Sequence, residues 1–128
     1  MISKDILKHI QSSLSAAFQG LIASTPSLQS LKANFVASNY DWALHPGGYG
    51  ILVLAQQVLG ISEHHLRNSY DVYQTRGNTS SATILSIIKE LAAEEITAGT
   101  GRDKVIAAAF GPGITIEMAV ISRAKGLW

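Results

Sequence analysis

The run Tyr40-Asp41-Trp42-Ala43-Leu44-His45, followed by Pro46-Gly47-Gly48, constrains this chain more than any other stretch. A compact, mostly apolar strand ends on an imidazole and hands over to a helix. Gly47 and Gly48 start that helix, Gly60 stops it, and Ile51, Leu52, Leu54, Ala55, Val58 and Leu59 carry it. A strand passing to a helix in this way belongs to an α/β layer arrangement, and the joint holds its terminal side chain rigidly. A second joint, Gly77-Asn78-Thr79-Ser80-Ser81, also opens a helix and offers a side-chain amide.

The rest of the pattern fits the same architecture. Ile6, Ile10, Leu14 and Phe18 recur every four residues, which predicts an amphipathic helix over residues 3–22 with Ser3 as N-cap. Thr25-Pro26-Ser27 breaks it, and an irregular connection runs on to Asn39. Ser62 caps a further helix, with Glu63 in its first turn, that runs to about Tyr73 and ends at Arg76-Gly77. Thr79 to Glu95 supplies a long helix whose stripe is Ile84, Leu85, Ile88, Leu91 and Ala92, with Gly99-Thr100-Gly101 as its exit. Lys104 to Phe110 and Ile114 to Ser122 are β-rich runs joined tightly by Gly111-Pro112-Gly113. The expected fold is therefore α/β, with a small mixed sheet and helices packed on it. A chain that opens on a helix without the strand expected before it reads as the later part of a larger α/β unit, with a sheet edge open to pairing.

At 128 residues the chain fits one domain, and a fold of this size buries roughly two-thirds of its unfolded surface. Apolar residues make up 47% and charged ones 15%, a low proportion of solvating charge that leaves apolar surface for a partner. The net charge is +1 and the basic residues are scattered singly, which argues against nucleic acid as a ligand. No apolar run reaches the roughly 20 residues of a membrane-spanning helix, so no membrane role is expected. The Ser-rich first 30 residues, with Lys4 and Lys8, faintly suggest an organelle transit segment but read better as a packed helix; a cytoplasmic setting is expected. The chain has no cysteine, which excludes disulfides, thiolate metal sites and a thiol nucleophile of its own.

His45, fixed by Pro46 beside a helix N-terminus, is expected to stay neutral and donate a hydrogen bond to an oxygen acquiring charge. The plainer alternative is a His that caps a turn or fills a core gap. Asn78 reads either as the N-cap of the helix after it or as a second donor that completes an oxyanion hole with His45. Phe110-Gly111-Pro112-Gly113 is a hairpin connection or a rigid pocket wall, and Ser80 can present its hydroxyl to the same cavity. His64-His65 face two directions and read as surface, and no other metal site is expected. Glu117 is a candidate partner for a basic residue. No G-x-S-x-G elbow supports a serine hydrolase.

Three of these runs, His45-Pro46-Gly47-Gly48, then Gly77-Asn78-Thr79-Ser80-Ser81-Ala82, then Phe110-Gly111-Pro112-Gly113-Ile114-Thr115-Ile116-Glu117, resemble the C-terminal half of type III polyketide synthases, the chalcone and stilbene synthase family. They occur in the family's order and cover most of the chain, and the opening Ile2-Ser3-Lys4-Asp5-Ile6 is similar too. The resemblance implies residues 1–128 as a C-terminal domain, half of a thiolase-like fold, without the nucleophile-bearing N-terminal domain. It further implies an acyltransferase that condenses malonyl-CoA with an acyl-CoA starter and needs no cofactor beyond these CoA thioesters. By the same resemblance a cysteine carries the growing chain, while His45 and Asn78 stabilise the thioester oxygen. Ser80 and Phe110, Gly111, Pro112 and Gly113 then shape the pocket, and Gly47, Gly48 and Gly50 border the CoA tunnel. The implied partners are a cysteine-bearing N-terminal half or full-length homologue, the intact family being homodimeric.

This chain departs from the family at Ala109, where many members place glycine, and at Tyr49-Gly50, which replaces the commoner Pro-Ala. Lacking a nucleophile, the chain is expected to be inactive alone. The competing reading is a non-catalytic remnant that pairs with a related subunit. A third, a hot-dog-fold dehydratase or thioesterase, requires a five- or six-stranded sheet wrapped on one main helix.

Overall fold

The computed structural model describes residues 3–26, 36–98, 101–111 and 115–123. Helix α1 (Lys4–Ser24) precedes a 3-10 turn (Ala37–Asn39), strand β1 (Asp41–Leu44) and helix α2 (Tyr49–Leu59). A second 3-10 turn (Glu63–Leu66) leads into helix α3 (Arg67–Arg76), and helix α4 (Ala82–Ala98) is followed by strands β2 (Lys104–Gly111) and β3 (Thr115–Ser122). The sheet order is β1-β2-β3, with β1 parallel to β2 and β3 antiparallel to it. This small mixed sheet with helices on both faces has neither the strand number nor the single wrapped helix of a hot-dog fold, and that alternative is rejected.

Side-chain alternation explains the layers. Trp42 and Leu44 of β1, with Ile106 and Ala108 of β2, share a core with Leu14 and Phe18 of α1 and Leu52 and Ala55 of α2. The intervening Ala43, Val105 and Ala107 meet Val72 of α3 and Ile87 and Leu91 of α4. A strand buried on both faces needs apolar residues at every position, which is why β1 reads as a continuous apolar run apart from Asp41. Each large aliphatic side chain so enclosed contributes about 1.5–3 kcal/mol. Trp42 keeps its indole N–H satisfied by donating to the Ala37 carbonyl at 2.9 Å, and the Phe18 ring packs against it.

The helix ends follow sequence chemistry. Ser3 accepts from the Ile6 amide, and Gly60 closes α2 in a left-handed conformation, φ 64°. The buried stripe of α1 is Ile10, Leu14, Phe18 and Ile22, while Ile6, expected in that stripe, is exposed. Ser62 forms a reciprocal cap with His65, whose other ring nitrogen bonds the Ser38 carbonyl; His65 is thus a structural tie and only His64 is plain surface. The segment after Ser62 is a 3-10 turn before it becomes α-helical, and α3 extends to Arg76 rather than Tyr73.

The outer edge of β1 is closed by a side chain. The Leu44 amide, which points away from β2, donates to the Ser69 hydroxyl at 3.1 Å. At the opposite end of the strand Asp41 is fully buried and accepts from Arg67, Arg102 and Arg123. Burial pushes its carboxyl up, but hydrogen bonds from Arg67 and Arg102 outweigh that and hold it well below the usual carboxylate range. These contacts tie the start of β1 to α3, to the start of β2 and to the end of β3.

Candidate active site

His45 follows β1 directly, and its amide continues the ladder by donating to the Ala108 carbonyl at 2.9 Å. Alternation puts His45 on the same face as Ala43, the face covered by α4. Just beyond, the Gly47 amide donates to the His45 carbonyl at 3.0 Å, a tight turn at Pro46 that fixes the backbone before α2. A Cβ on Gly47 would stand 2.8 Å from the Ile51 Cδ1, so a larger residue there needs that side-chain tip to swing aside.

The second joint comes to the same place. Helix α4 begins at Ala82, three residues later than the sequence pattern predicts, because Ser80 adopts a left-handed conformation with φ 58°. Asn78 is therefore not the N-cap of α4. Its Oδ1 accepts from the Ser80 amide at 2.9 Å, an Asx turn that fixes the carboxamide's orientation and leaves its NH2 end as the remaining donor group. Buried Thr83 anchors the loop: its hydroxyl accepts from the Thr79 amide at 2.8 Å and bonds the Thr79 hydroxyl at 2.9 Å.

His45, Asn78, Ser80, Ser81, Ile84, Ala109 and Phe110 line one cavity of about 480 Å³. It opens at the carboxyl ends of the two parallel strands, the usual crevice for ligands in open α/β sheets. The N-terminus of α4 borders it and adds partial positive charge. The Nε2 of His45 lies 2.9 Å from the Ser80 carbonyl oxygen. That oxygen can only accept, so the hydrogen is on Nε2. Two N–H-bearing side chains thus stand at one apolar-walled space, an arrangement suited to an oxygen that gains negative charge.

Of the residues singled out from sequence, His45, Asn78, Ser80 and Phe110 meet at this cavity. Gly47, Gly48, Gly50 and Gly111 are not on its lining, and Pro112 and Gly113 lie outside the described residues. Sequence reasoning missed Ile84 as a lining residue, since it reads as part of the core stripe of α4. Glu117 is exposed and forms no ion pair among the described residues. No helix among the described residues is long and apolar enough to cross a membrane.

Residues 2–124 match the family described as chalcone and stilbene synthases, C-terminal domain. The chain is 50% identical over 108 residues to the acylalkylpyrone synthase csyB of Aspergillus oryzae, covering 84% of this chain and 27% of that protein. It is 37% identical over 134 residues to the type III polyketide synthase pspB of Penicillium soppii, covering 98% of this chain and 32% of that one. The crystal structure of CsyB complexed with CoA-SH superposes with a TM-score of 0.89 at 46% identity, over 97% of this chain and 33% of that one. The chain therefore spans about a third of the length of these relatives. Its mixed sheet with helices on both faces is part of their thiolase-like fold. From the joint at His45 to the cavity it shares with Asn78, this chain belongs to the chalcone and stilbene synthase family, as a C-terminal domain of a type III polyketide synthase.

Proposed function

We propose that residues 1–128 act as the C-terminal domain that supplies the oxyanion-stabilising pair, His45 and Asn78, for decarboxylative condensation of malonyl-CoA with an acyl-CoA starter. Loss of CO2 from the malonyl thioester leaves an electron pair on the α-carbon and negative charge on the thioester oxygen. The Nε2–H of His45 and the amide N–H of Asn78 donate to that oxygen. The enolate carbon then attacks an acyl group held as a cysteine thioester, and the cysteine sulfur leaves as thiolate. The two donors stay on that thioester oxygen through the condensation. Ser80 and Phe110 bound the space for the growing chain, and Gly47, Gly48 and Gly50 lie along the path of the CoA arm.

The observation that carries this reading is the convergence of His45 and Asn78 on one cavity, with the Asn78 carbonyl oxygen already engaged by Ser80 and its NH2 end free. Since the chain has no cysteine, the nucleophile comes from a cysteine-bearing N-terminal half or a full-length homologue. CoA binding is supported by the CoA-SH complex of CsyB. A surface for that partner is at hand: Leu85 of α4, one residue beyond the cavity-lining Ile84, is 68% exposed, and the outer edge of β3 has no strand beside it among the described residues. In the intact assembly the enzyme is a homodimer in the cytoplasm.

The test is to incubate the chain with malonyl-CoA and a starter thioester, alone and with a cysteine-bearing partner. The expected result is no product from the chain alone and product from the mixture, lost on His45→Ala. Unchanged turnover by the His45→Ala mixture, with pairing intact, would instead assign the chain a purely associative role, the reading that exposed Leu85 favours.

A further inference from the structure

We infer that the main chain of Ser80 is the positioning element for the His45 and Asn78 pair, and that its carbonyl is the resting acceptor of the hydrogen His45 donates. This deepens the proposed function and rests on it in one respect only, that the donated hydrogen serves an acyl oxygen during turnover.

Ser80 is the one residue other than glycine with positive φ among the described residues, at 58°. That conformation is disfavoured for an L side chain and persists where surrounding bonds hold it. Here both polar groups of the residue are engaged toward the site. Its N–H donates to Asn78 Oδ1 at 2.9 Å, and its carbonyl accepts from His45 Nε2 at 2.9 Å and from the Thr83 amide at 3.1 Å. The angle between a residue's N–H and C=O is set by its own φ and ψ. A right-handed Ser80 therefore cannot keep both bonds, and the orientations of His45 and Asn78 are coupled through one residue that sits between them.

The imidazole tautomer depends on the same carbonyl. A ring nitrogen's hydrogen is normally fixed by the partner of the opposite nitrogen. His45 Nδ1 is buried and has no hydrogen-bond partner among the described residues. Ser80 oxygen is then the group that keeps the hydrogen on Nε2, the nitrogen facing the cavity. An acyl oxygen entering the cavity takes over a donor already in the correct tautomer, and the Ser80 carbonyl retains its bond from Thr83 when it gives His45 up. The serine hydroxyl plays no part, so the role belongs to a conformation and not to a functional group.

The experiment is nitrogen NMR on the chain labelled at histidine and asparagine, comparing wild type with Ser80→Gly, Ser80→Pro and Asn78→Ala. Glycine adopts positive φ freely, so Ser80→Gly is expected to keep His45 as the Nε2–H tautomer with a protected ring hydrogen. Ser80→Pro forces φ negative and removes the N–H; the His45 tautomers are expected to mix and the Asn78 side-chain resonances to move together with them. Asn78→Ala alters an exposed side chain and keeps the fold, so it decides the matter should the proline variant not fold. Loss of the Asn78 anchor is expected to speed exchange of the His45 ring hydrogen on the order of tenfold, the effect of one hydrogen bond. An unchanged His45 tautomer in folded Ser80→Pro, or unchanged exchange in Asn78→Ala, would overturn the inference. These spectra need no turnover: a His45 dispensable for catalysis would end the functional reading and leave them as they are.

Discussion

Arg123, just after β3, donates its Nη2 to Oδ2 of the buried Asp41 at 2.8 Å, although Asp41 begins β1 and β1 and β3 are not neighbours in the sheet. Arg67 and Arg102 bond the same carboxylate at 3.0 and 2.7 Å, and Arg67 continues to Glu94 at 2.7 Å. Asp41→Asn leaves three guanidinium groups facing a neutral amide. Breaking a buried charge pair on one side costs about 3–5 kcal/mol, and urea denaturation of the variant should show a loss of that size. A change under about 1 kcal/mol would mean the cluster is not part of the core's stability.

The same carboxylate sets the acid limb of stability. Its folded pKa is depressed, so its contribution is complete above the unfolded carboxylate value of about 4 and is lost as pH falls from there toward the folded value. Denaturation midpoints measured from pH 6 down to pH 2 should fall steeply for the wild type and more shallowly for Asp41→Asn. Parallel curves would place the acid sensitivity in other carboxylates.

Ser69→Ala removes the partner of the buried Leu44 amide, one residue before His45. An unsatisfied buried N–H costs about 1–3 kcal/mol, and the loss should appear in thermal or chemical unfolding. Hydrogen exchange at Leu44 should quicken while the Trp42 indole keeps its protection, because the bond to Ala37 lies on the other side of the strand's start. Equal loosening at both sites would show that β1 opens as a unit.

Leu85→Glu tests the proposed partner surface. The side chain is 68% exposed, so the chain's own stability should change by no more than about 0.5 kcal/mol. Binding to a cysteine-bearing N-terminal half, followed by calorimetry, should weaken sharply, because the glutamate would be buried against an apolar face. Undiminished affinity would remove this face from the interface.

Much of the fold was legible because it is local. The every-fourth-residue stripe of α1, the Ser62 cap, the glycine that ends α2 and the two β-rich runs each announce an element through neighbours a few residues away. The start of α4 was misread for a physical reason: Asn78, Thr79, Ser80 and Ser81 are all residues that cap helices, and the left-handed turn at Ser80 that decides among them carries no glycine to mark it. The Asp41 cluster was invisible because its arginines lie 26, 61 and 82 residues away, beyond any spacing rule. At the site, the motifs located His45 and Asn78, while Ile84 belongs to a stripe whose periodicity signals core and gives no hint of its cavity-facing position. The glycines assigned to the CoA path stand apart from the cavity lining, since a backbone turn separates them from His45.

In the proposed function the His45 imidazole and the Asn78 carboxamide meet on one acyl oxygen. A crystal structure of the chain assembled with its cysteine-bearing partner and a non-reactive malonyl-CoA analogue measures this directly. The expected result is the thioester oxygen within about 3.2 Å of both His45 Nε2 and Asn78 Nδ2. An oxygen bonded elsewhere, with the two side chains turned from it, would overturn the shared oxyanion role of His45 and Asn78.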